Sequence, residues 1–226
     1  MDERPVLLSD LDGTLLDVRE RFAYAQAAAL SSLGHEVSVT RLQSLYRFCL
    51  DAFKLLKILD ITLTPKELVQ YYRSVSTEFL ANWEHSRVVP GVKEAFDELR
   101  SRVKTMRIIT SRNEIHETRN EIHTFGLDRI FDGVYTRGDL AQIDGVEEVP
   151  LYPFNEHRQR LIRLALDDLD HKGVVWVLGD SPAELESVKV LGFIGVGVLT
   201  GFADRVDLEP YADYIIDSAA EIRQLI

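Results

Sequence analysis

The sequence predicts an α/β protein with a Rossmann-like parallel sheet, and three observations predict it. Short apolar runs alternate with helical stretches through most of the chain, the pattern of strands joined by crossover helices. Three of those runs, Val6-Leu7-Leu8, Met106-Arg107-Ile108-Ile109 and Val174-Val175-Trp176-Val177-Leu178, lead into polar residues of catalytic type. Between the first run and the rest lies a stretch, about 18 to 85, that reads as helix throughout, so the sheet core is expected to carry an inserted all-helical unit.

Taken in order, the first strand runs into Ser9-Asp10-Leu11-Asp12-Gly13-Thr14-Leu15. Side chains two apart in an extended segment point the same way, so Asp10 and Asp12 can approach a common ligand, Gly13 lets the chain turn and Thr14 supplies a hydroxyl. The insertion reads as helices over 19–33, 40–59 and 64–83. Gly34 ends the first, and Thr64-Pro65-Lys66-Glu67 starts the last with an N-cap, a first-turn proline and a box glutamate. After Pro90-Gly91 the alternation returns. Helices are expected over 92–102, 113–125, 155–168 and 183–191, and strands over 106–110, 133–136, 174–178, 193–198 and 213–216. A closing helix is expected to start at the Ser218-x-x-Glu221 box. The division expected is a core of 1–17 and 86–226 and a helical cap of 18–85.

Composition bounds the function. The chain has 226 residues with 46% hydrophobic content, enough for a full core and a smaller appended unit. A net charge of -11 argues against a nucleic-acid partner, while a small anionic substrate in a locally basic pocket remains compatible. No apolar run is long enough for a bilayer, Cys49 is the single cysteine, and the first residues carry no signal-peptide pattern. A cytoplasmic protein, monomer or homodimer, without membrane attachment is the expectation.

Two adjacent carboxylates repel, which favours a shared divalent cation or a proton kept on one of them. In open parallel sheets ligands bind beyond the carboxyl ends of the strands. Thr110, Ser111, Arg112 and Asp180 are therefore expected at the same edge as Asp10 and Asp12, with Thr14, Ser111 and Arg112 as candidates for substrate contact. The near-repeat Asn113-Glu114-Ile115-His116 and Asn120-Glu121-Ile122-His123 invites a metal reading, but seven residues span about 10.5 Å of helix. His116 and His123 cannot share one ion, and an amphipathic helix burying Ile115, Ile122 and Phe125 is expected instead.

Asp10-x-Asp12-x-Thr14, a Thr110 after an apolar strand, and Gly179-Asp180 followed by Glu184 resemble the motifs of the haloacid dehalogenase-like hydrolase superfamily. The resemblance spans almost the whole chain, and the insertion after the first motif is similar to that of phosphoglycolate phosphatase-like members acting on small molecules. It implies that Asp10 is the phosphate-accepting nucleophile and Asp12 the general acid/base. It also implies that Thr110 holds the phosphoryl group and that Asp180, Asp10 and the backbone carbonyl of Asp12 hold Mg2+. A Mg2+-dependent phosphatase acting on a small phosphorylated metabolite is the function it implies. Within the superfamily it resembles, Asp12 argues against carbon–halogen and phosphonate cleavage, whose members lack this second aspartate. A phosphoglucomutase-like phosphotransferase and a non-catalytic binding or regulatory protein are the alternatives.

The chain departs from the superfamily at its third motif, a lysine upstream of Gly-Asp. Between Ser111 and Gly179 the only lysine is Lys172, just before the strand at 174–178 and at the end away from the catalytic edge. Arg158, in the first turn of the helix at 155–168 and close to the superfamily's spacing from Asp180, is the expected substitute, with Arg137 and Arg160 as the other candidates. Glu184 has two readings: support for the metal from outside the set of ligands, or the glutamate of a Ser181-x-x-Glu184 capping box. Within the insertion, Arg21 and Arg47 are the candidates for an anionic substrate tail, chosen from Arg19, Arg21, Arg41, Arg47, Lys54 and Lys57.

Overall fold

The computed structural model describes residues 3–48, 52–148, 154–169 and 173–226. The chain divides into two compact units, one of Met1–Leu16 with Val88–Ile226 and one of Asp17–Arg87. Cys49 and Lys172 lie outside the described residues.

The elements of the first unit begin with β1 (Val6–Ser9). The chain leaves through β2 (Leu16–Asp17). In the second unit it forms α1 (Arg19–Ser31), α2 (Val39–Ser44), α3 (Ala52–Ile58) and α4 (Pro65–Ala81), and it returns through β3 (Arg87–Val88). The first unit then continues with α5 (Val92–Leu99), β4 (Thr105–Thr110), α6 (Ile115–Thr124), β5 (Gly133–Thr136) and α7 (Arg137–Asp144). It closes with α8 (Phe154–Leu164), β6 (Val175–Gly179), α9 (Pro182–Val190), β7 (Ile194–Val198), α10 (Arg205–Leu208), β8 (Tyr214–Ile216) and a final 3₁₀ turn, Ala219–Gln224.

The main sheet has six strands in the order β5-β4-β1-β6-β7-β8, and every pair is parallel. It is the α/β fold that the alternating pattern predicts. The chain builds outward from β1 on one side through β4 and β5, then crosses back to build β6, β7 and β8 on the other. The reversal falls between β1 and β6, where an open α/β sheet leaves a crevice for a ligand. Central strands are covered on both faces, so they read as apolar runs: β1 is fully buried, and Val6, Leu8, Ile109, Val175 and Val177 share one core with Ile162 and Val188 from the flanking helices.

A buried cation sits within this core. Arg107, on β4, is 7% exposed, yet its Nη1 donates to the Tyr135 hydroxyl at 2.9 Å and to the Ala165 carbonyl at 2.8 Å. Its Nη2 donates to Asp168 Oδ2 at 3.0 Å. Both acceptors at 165 and 168 lie just past the end of α8, so the strand holds that helix by its C-terminal end.

The second unit packs Ala23, Ala29, Leu30, Leu42, Leu55 and Tyr71 into a core of its own. The Thr64 capping box forms as the sequence predicts, with the Thr64 hydroxyl and the Glu67 carboxylate each accepting the other's backbone N–H. One expected helix is different: 40–59 is divided into α2, a 3₁₀ turn Tyr46–Phe48 and α3. Ser44 donates its hydroxyl to the Arg41 carbonyl at 2.7 Å, and the Leu45 N–H reaches Leu42 rather than residue 41. Such local bonds compete with helix continuation.

Two further differences lie in the first unit. Between the expected strand at 133–136 and the expected helix at 155–168 the sequence reading places no other helix, but α7 starts directly after β5 because Thr136 and Asp139 form a capping box. At the C-terminus the Ser218 box is replaced by a 3₁₀ turn. The Ser218 hydroxyl accepts from Ala220 and the Glu221 carboxylate accepts from Asp217, each one residue away from the box pattern.

Candidate active site

The carboxyl ends of β1, β4 and β6 bring Asp10, Asp12, Thr110 and Asp180 to one edge of the sheet. β1 and β6 are in register up to Ser9 opposite Leu178, and the Asp10 N–H donates to the Leu178 carbonyl at 2.9 Å, which fixes Asp10 beside the Gly179-Asp180 turn. Gly13 has φ +83°, a left-handed conformation that lets the chain bend back at once, and its N–H closes onto the Leu16 carbonyl.

Asp10, Asp180 and Glu184 each offer an oxygen within 4.8 Å of the others, and all three are buried. Burial pushes the Asp10 carboxyl above its ordinary range; Arg158 opposes the shift and the neighbouring Asp12 adds to it. Burial also pushes Asp180 up, with Asp10 as the next cause, against the Phe202 N–H and Arg158. Two buried carboxyls that resist simultaneous ionisation present hard oxygen donors to a divalent cation of the Mg2+ type, so the residues fit such an ion.

Arg158 is the cation among them. It is 1% exposed, and its Nη2 donates to Asp10 Oδ1 at 2.8 Å while also pairing with Glu184. Burial lowers its pKa, with Asp10 and Asp180 opposing that fall. Its Nε and Nη1 have no hydrogen-bond partner among the described residues, nor has the buried hydroxyl of Thr14. Unsatisfied buried donors are costly unless something else accepts from them, and an oxyanion is the natural acceptor.

The other two arginines sit differently. Arg137 donates through Nε to the Ser111 carbonyl at 3.0 Å and pairs with Glu148 at 2.6 Å. Arg160 pairs with Asp144 at the surface. Arg158 lies in the second turn of α8 rather than the first, because that helix begins at Phe154.

Glu184 resolves into half of a cap. The Ser181 hydroxyl accepts from the Glu184 N–H at 3.4 Å, but the Glu184 carboxylate turns inward to Arg158 and Gly179 instead of back to residue 181. A side chain at Gly179 would place its Cβ 2.0 Å from Glu184 Oε2.

Around Thr110, the polar segment after β4 is held from several sides. The Thr110 hydroxyl accepts from the Arg112 N–H at 3.3 Å, the Arg112 carbonyl accepts from the Arg137 N–H at 3.0 Å, and Ser111 Oγ contacts His157 Nε2 at 3.0 Å. Arg112 does not face open space: it donates to Asp12 and to Glu121.

Arg21 and Arg47 belong to the second unit. Arg21 is 1% exposed, donates to the Phe79 carbonyl and, at 3.2 Å, to the Ser86 hydroxyl, and lies 3.8 Å from the centre of the Phe79 ring. Its surroundings are those of a side chain that holds α1 to α4. Arg47 is exposed on the 3₁₀ turn.

Five contributors escape the sequence reading: His157, Glu121 and the loop Thr200-Gly201-Phe202 after β7. The Phe202 N–H donates to Asp180 Oδ2 at 2.8 Å, and the Thr200 hydroxyl donates to the Gly13 carbonyl at 2.7 Å. A Cβ at Gly201 would stand 1.8 Å from Asp180 Oδ2, and one at Gly13 would stand 2.4 Å from the same oxygen. Both loops thus approach Asp180 closer than any side chain would permit. A Thr-Gly pair after a strand is an ordinary turn signal, which is why it draws no attention in the sequence.

Comparison with known proteins agrees with the sequence resemblance. Residues 7–198 match the family model described as haloacid dehalogenase-like hydrolase. A curated 5'-nucleotidase of Pseudomonas aeruginosa is 28% identical over 98% of this chain and 95% of its own length. Among solved structures, a haloacid dehalogenase-like family hydrolase from Streptococcus pneumoniae superposes with a TM-score of 0.75 at 18% identity, covering 100% of this chain and 99% of that one. A predicted phosphatase from Clostridium acetobutylicum gives a TM-score of 0.72 at 18% identity, with 99% and 98% covered. No helix among the described residues is long and apolar enough to cross a membrane.

Proposed function

Because this chain belongs to the haloacid dehalogenase-like hydrolase family, we propose that it is a Mg2+-dependent phosphatase hydrolysing a small phosphomonoester through an aspartyl phosphate on Asp10. One observation carries the reading: a buried carboxylate, Asp10, sits at the switch point of the sheet beside two more buried carboxylates and against a buried arginine with two donor atoms that have no partner among the described residues.

The chain's own residues account for each step. Asp10 attacks phosphorus, forming a carboxyl–phosphorus bond as the ester P–O bond breaks. Asp12 gives its proton to the departing alkoxide, then takes one from the water that attacks the aspartyl phosphate, so a single group serves both halves. The Thr110 hydroxyl and the unpartnered Nε and Nη1 of Arg158 receive phosphoryl oxygens. Asp10, Asp180 and the Asp12 carbonyl would hold Mg2+, with Glu184 next to them, and the ion when bound offsets the negative charge that these carboxylates and the phosphate share. In this reading the helical unit is a cap, and Arg21 keeps it in shape while Arg47 remains its candidate for substrate contact.

The name of the Pseudomonas aeruginosa relative makes nucleoside 5'-monophosphates the first compounds to try. Phosphate release from a panel of these and of sugar and short-chain acid phosphates is expected to require Mg2+ and to vanish on chelation. A panel that yields no phosphate with Mg2+ present would overturn the reading, and transfer to a sugar hydroxyl in place of water would turn it into a phosphotransferase.

The close approach of the 200–202 loop gives a second test. Gly201→Ala forces Asp180 out of position, so the Mg2+ concentration for half-maximal activity is expected to rise by about ten- to hundredfold, the usual cost of disturbing a group that orients a ligand. The rise in melting temperature that Mg2+ induces is expected to shrink in parallel. Unchanged values of both would separate the loop from the metal.

A further inference from the structure

We infer that Arg112 and Glu121 form a positioning pair that sets the orientation of the Asp12 carboxylate; the inference rests on the reading of Asp12 as proton donor. Arg112 Nε donates to Asp12 Oδ2 at 2.8 Å and Nη2 donates to Asp12 Oδ1 at 2.6 Å. Both oxygens are engaged from one edge of a planar guanidinium, which fixes the plane of the carboxylate as well as its distance.

Glu121 holds the other side. Arg112 Nη1 donates to Glu121 Oε2 at 2.7 Å and Nη2 to Glu121 Oε1 at 3.2 Å. Arg112 is 8% exposed and Glu121 5%. Arg112 is further restrained by its backbone, bonded to Thr110 and Arg137 on either side. Burial alone would depress the Arg112 pKa; Asp12 and Glu121 outweigh it and hold the guanidinium above its ordinary range. A carboxylate on α6 would be costly to bury without this partner. With one carboxylate alone the guanidinium could pivot about the ion pair. With two, it is fixed at both edges, and Asp12 inherits that rigidity.

The arrangement also bears on what Arg112 is for. The edge that would grip a substrate oxyanion is already spent on Asp12, so Arg112 acts through Asp12 and not on the substrate.

The test measures kcat and KM on an alkyl phosphomonoester and on an activated aryl phosphate, for the wild type, Asp12→Asn, Arg112→Lys and Glu121→Gln. Loss of the proton donor matters most for a poor leaving group. Glu121→Gln and Arg112→Lys are expected to lower kcat on the alkyl ester by about a hundredfold, the effect of misplacing a reacting group by about 1 Å. The aryl phosphate is expected to be far less affected, and KM to stay near that of the wild type. Adding either change to Asp12→Asn is expected to cost little more, since all three act on one group. Equal losses on both esters, or a raised KM, would overturn the inference and return Arg112 to the substrate. If Asp12→Asn shows the leaving-group dependence while the other two variants do not, the positioning pair fails and the proton donor stands. If Asp12→Asn lacks it, both fail. Glu121→Gln preserves the shape of the side chain, so the test survives a poorly folded Arg112→Lys.

Discussion

Asp10→Asn is expected to abolish phosphate release while leaving the fold intact. The amide has nearly the shape of the carboxylate but is a poor nucleophile, so the covalent route closes at its first step. Removal of a nucleophile in another hydrolase cost on the order of a millionfold in turnover. The fold is expected to persist because the Asp10 backbone bond to Leu178 is unaffected and Glu184 still faces Arg158. The measurement is Mg2+-dependent phosphate release, paired with acid-quench trapping of labelled phosphate on the protein. The wild type should retain label and Asp10→Asn should not. Substantial Mg2+-dependent turnover in the variant would show that another group attacks phosphorus.

Arg158→Ala carries the second-largest effect, and it acts on two quantities at once. Loss of one preorganised cation or donor at a developing oxyanion costs about 2.7 to 4 kcal/mol, or a hundredfold to a thousandfold in rate. Removing one partner of a buried ion pair also destabilises by about 3 to 5 kcal/mol, because Asp10 and Glu184 are left buried beside Asp180 without their cation. The melting temperature is therefore expected to fall with the rate. Arg158→Lys should recover part of both, since charge returns but the planar fork does not. Arg160→Ala is the contrast: its surface pair with Asp144 contributes little, and turnover and melting temperature should stay near wild type. Arg137→Ala removes the bond to the Ser111 carbonyl and is expected to fall between the two. A normal rate in Arg158→Ala with collapse in Arg137→Ala would move the role to Arg137.

The sheet was readable because its central strands are buried on both faces and so appear as apolar runs that end in polar residues. The same property made Asp10, Asp12, Thr110 and Asp180 legible, since each lies within four residues of a run's end. Arg158 was legible from spacing and charge together. What escaped was decided by contacts that only the folded chain makes. Glu121 looks like an ordinary helix glutamate, even a metal decoy in its near-repeat, until the fold brings Arg112 against it. The 200–202 loop matters through atoms it lacks, and a missing Cβ has no sequence signature beyond a common glycine. The helix over 40–59 failed for a local reason: a serine hydroxyl competing for a backbone carbonyl leaves no trace in hydrophobic periodicity.

The grip of Arg107 on the far end of α8 has a mechanical consequence. That helix is fastened twice: at one end through His157 and Arg158 to Ser111 and Asp10, and at the other through Ala165 and Asp168 to β4. It is a strut braced at both ends, and the Arg158 guanidinium owes part of its footing to a joint at the far end of the same helix. Asp168 and Tyr135 accept from Arg107 and so set the tension of that joint. Substitution at either position is expected to loosen the footing of Arg158 without altering a candidate site residue, so sensitivity to substitution is expected not to follow distance from Asp10 alone.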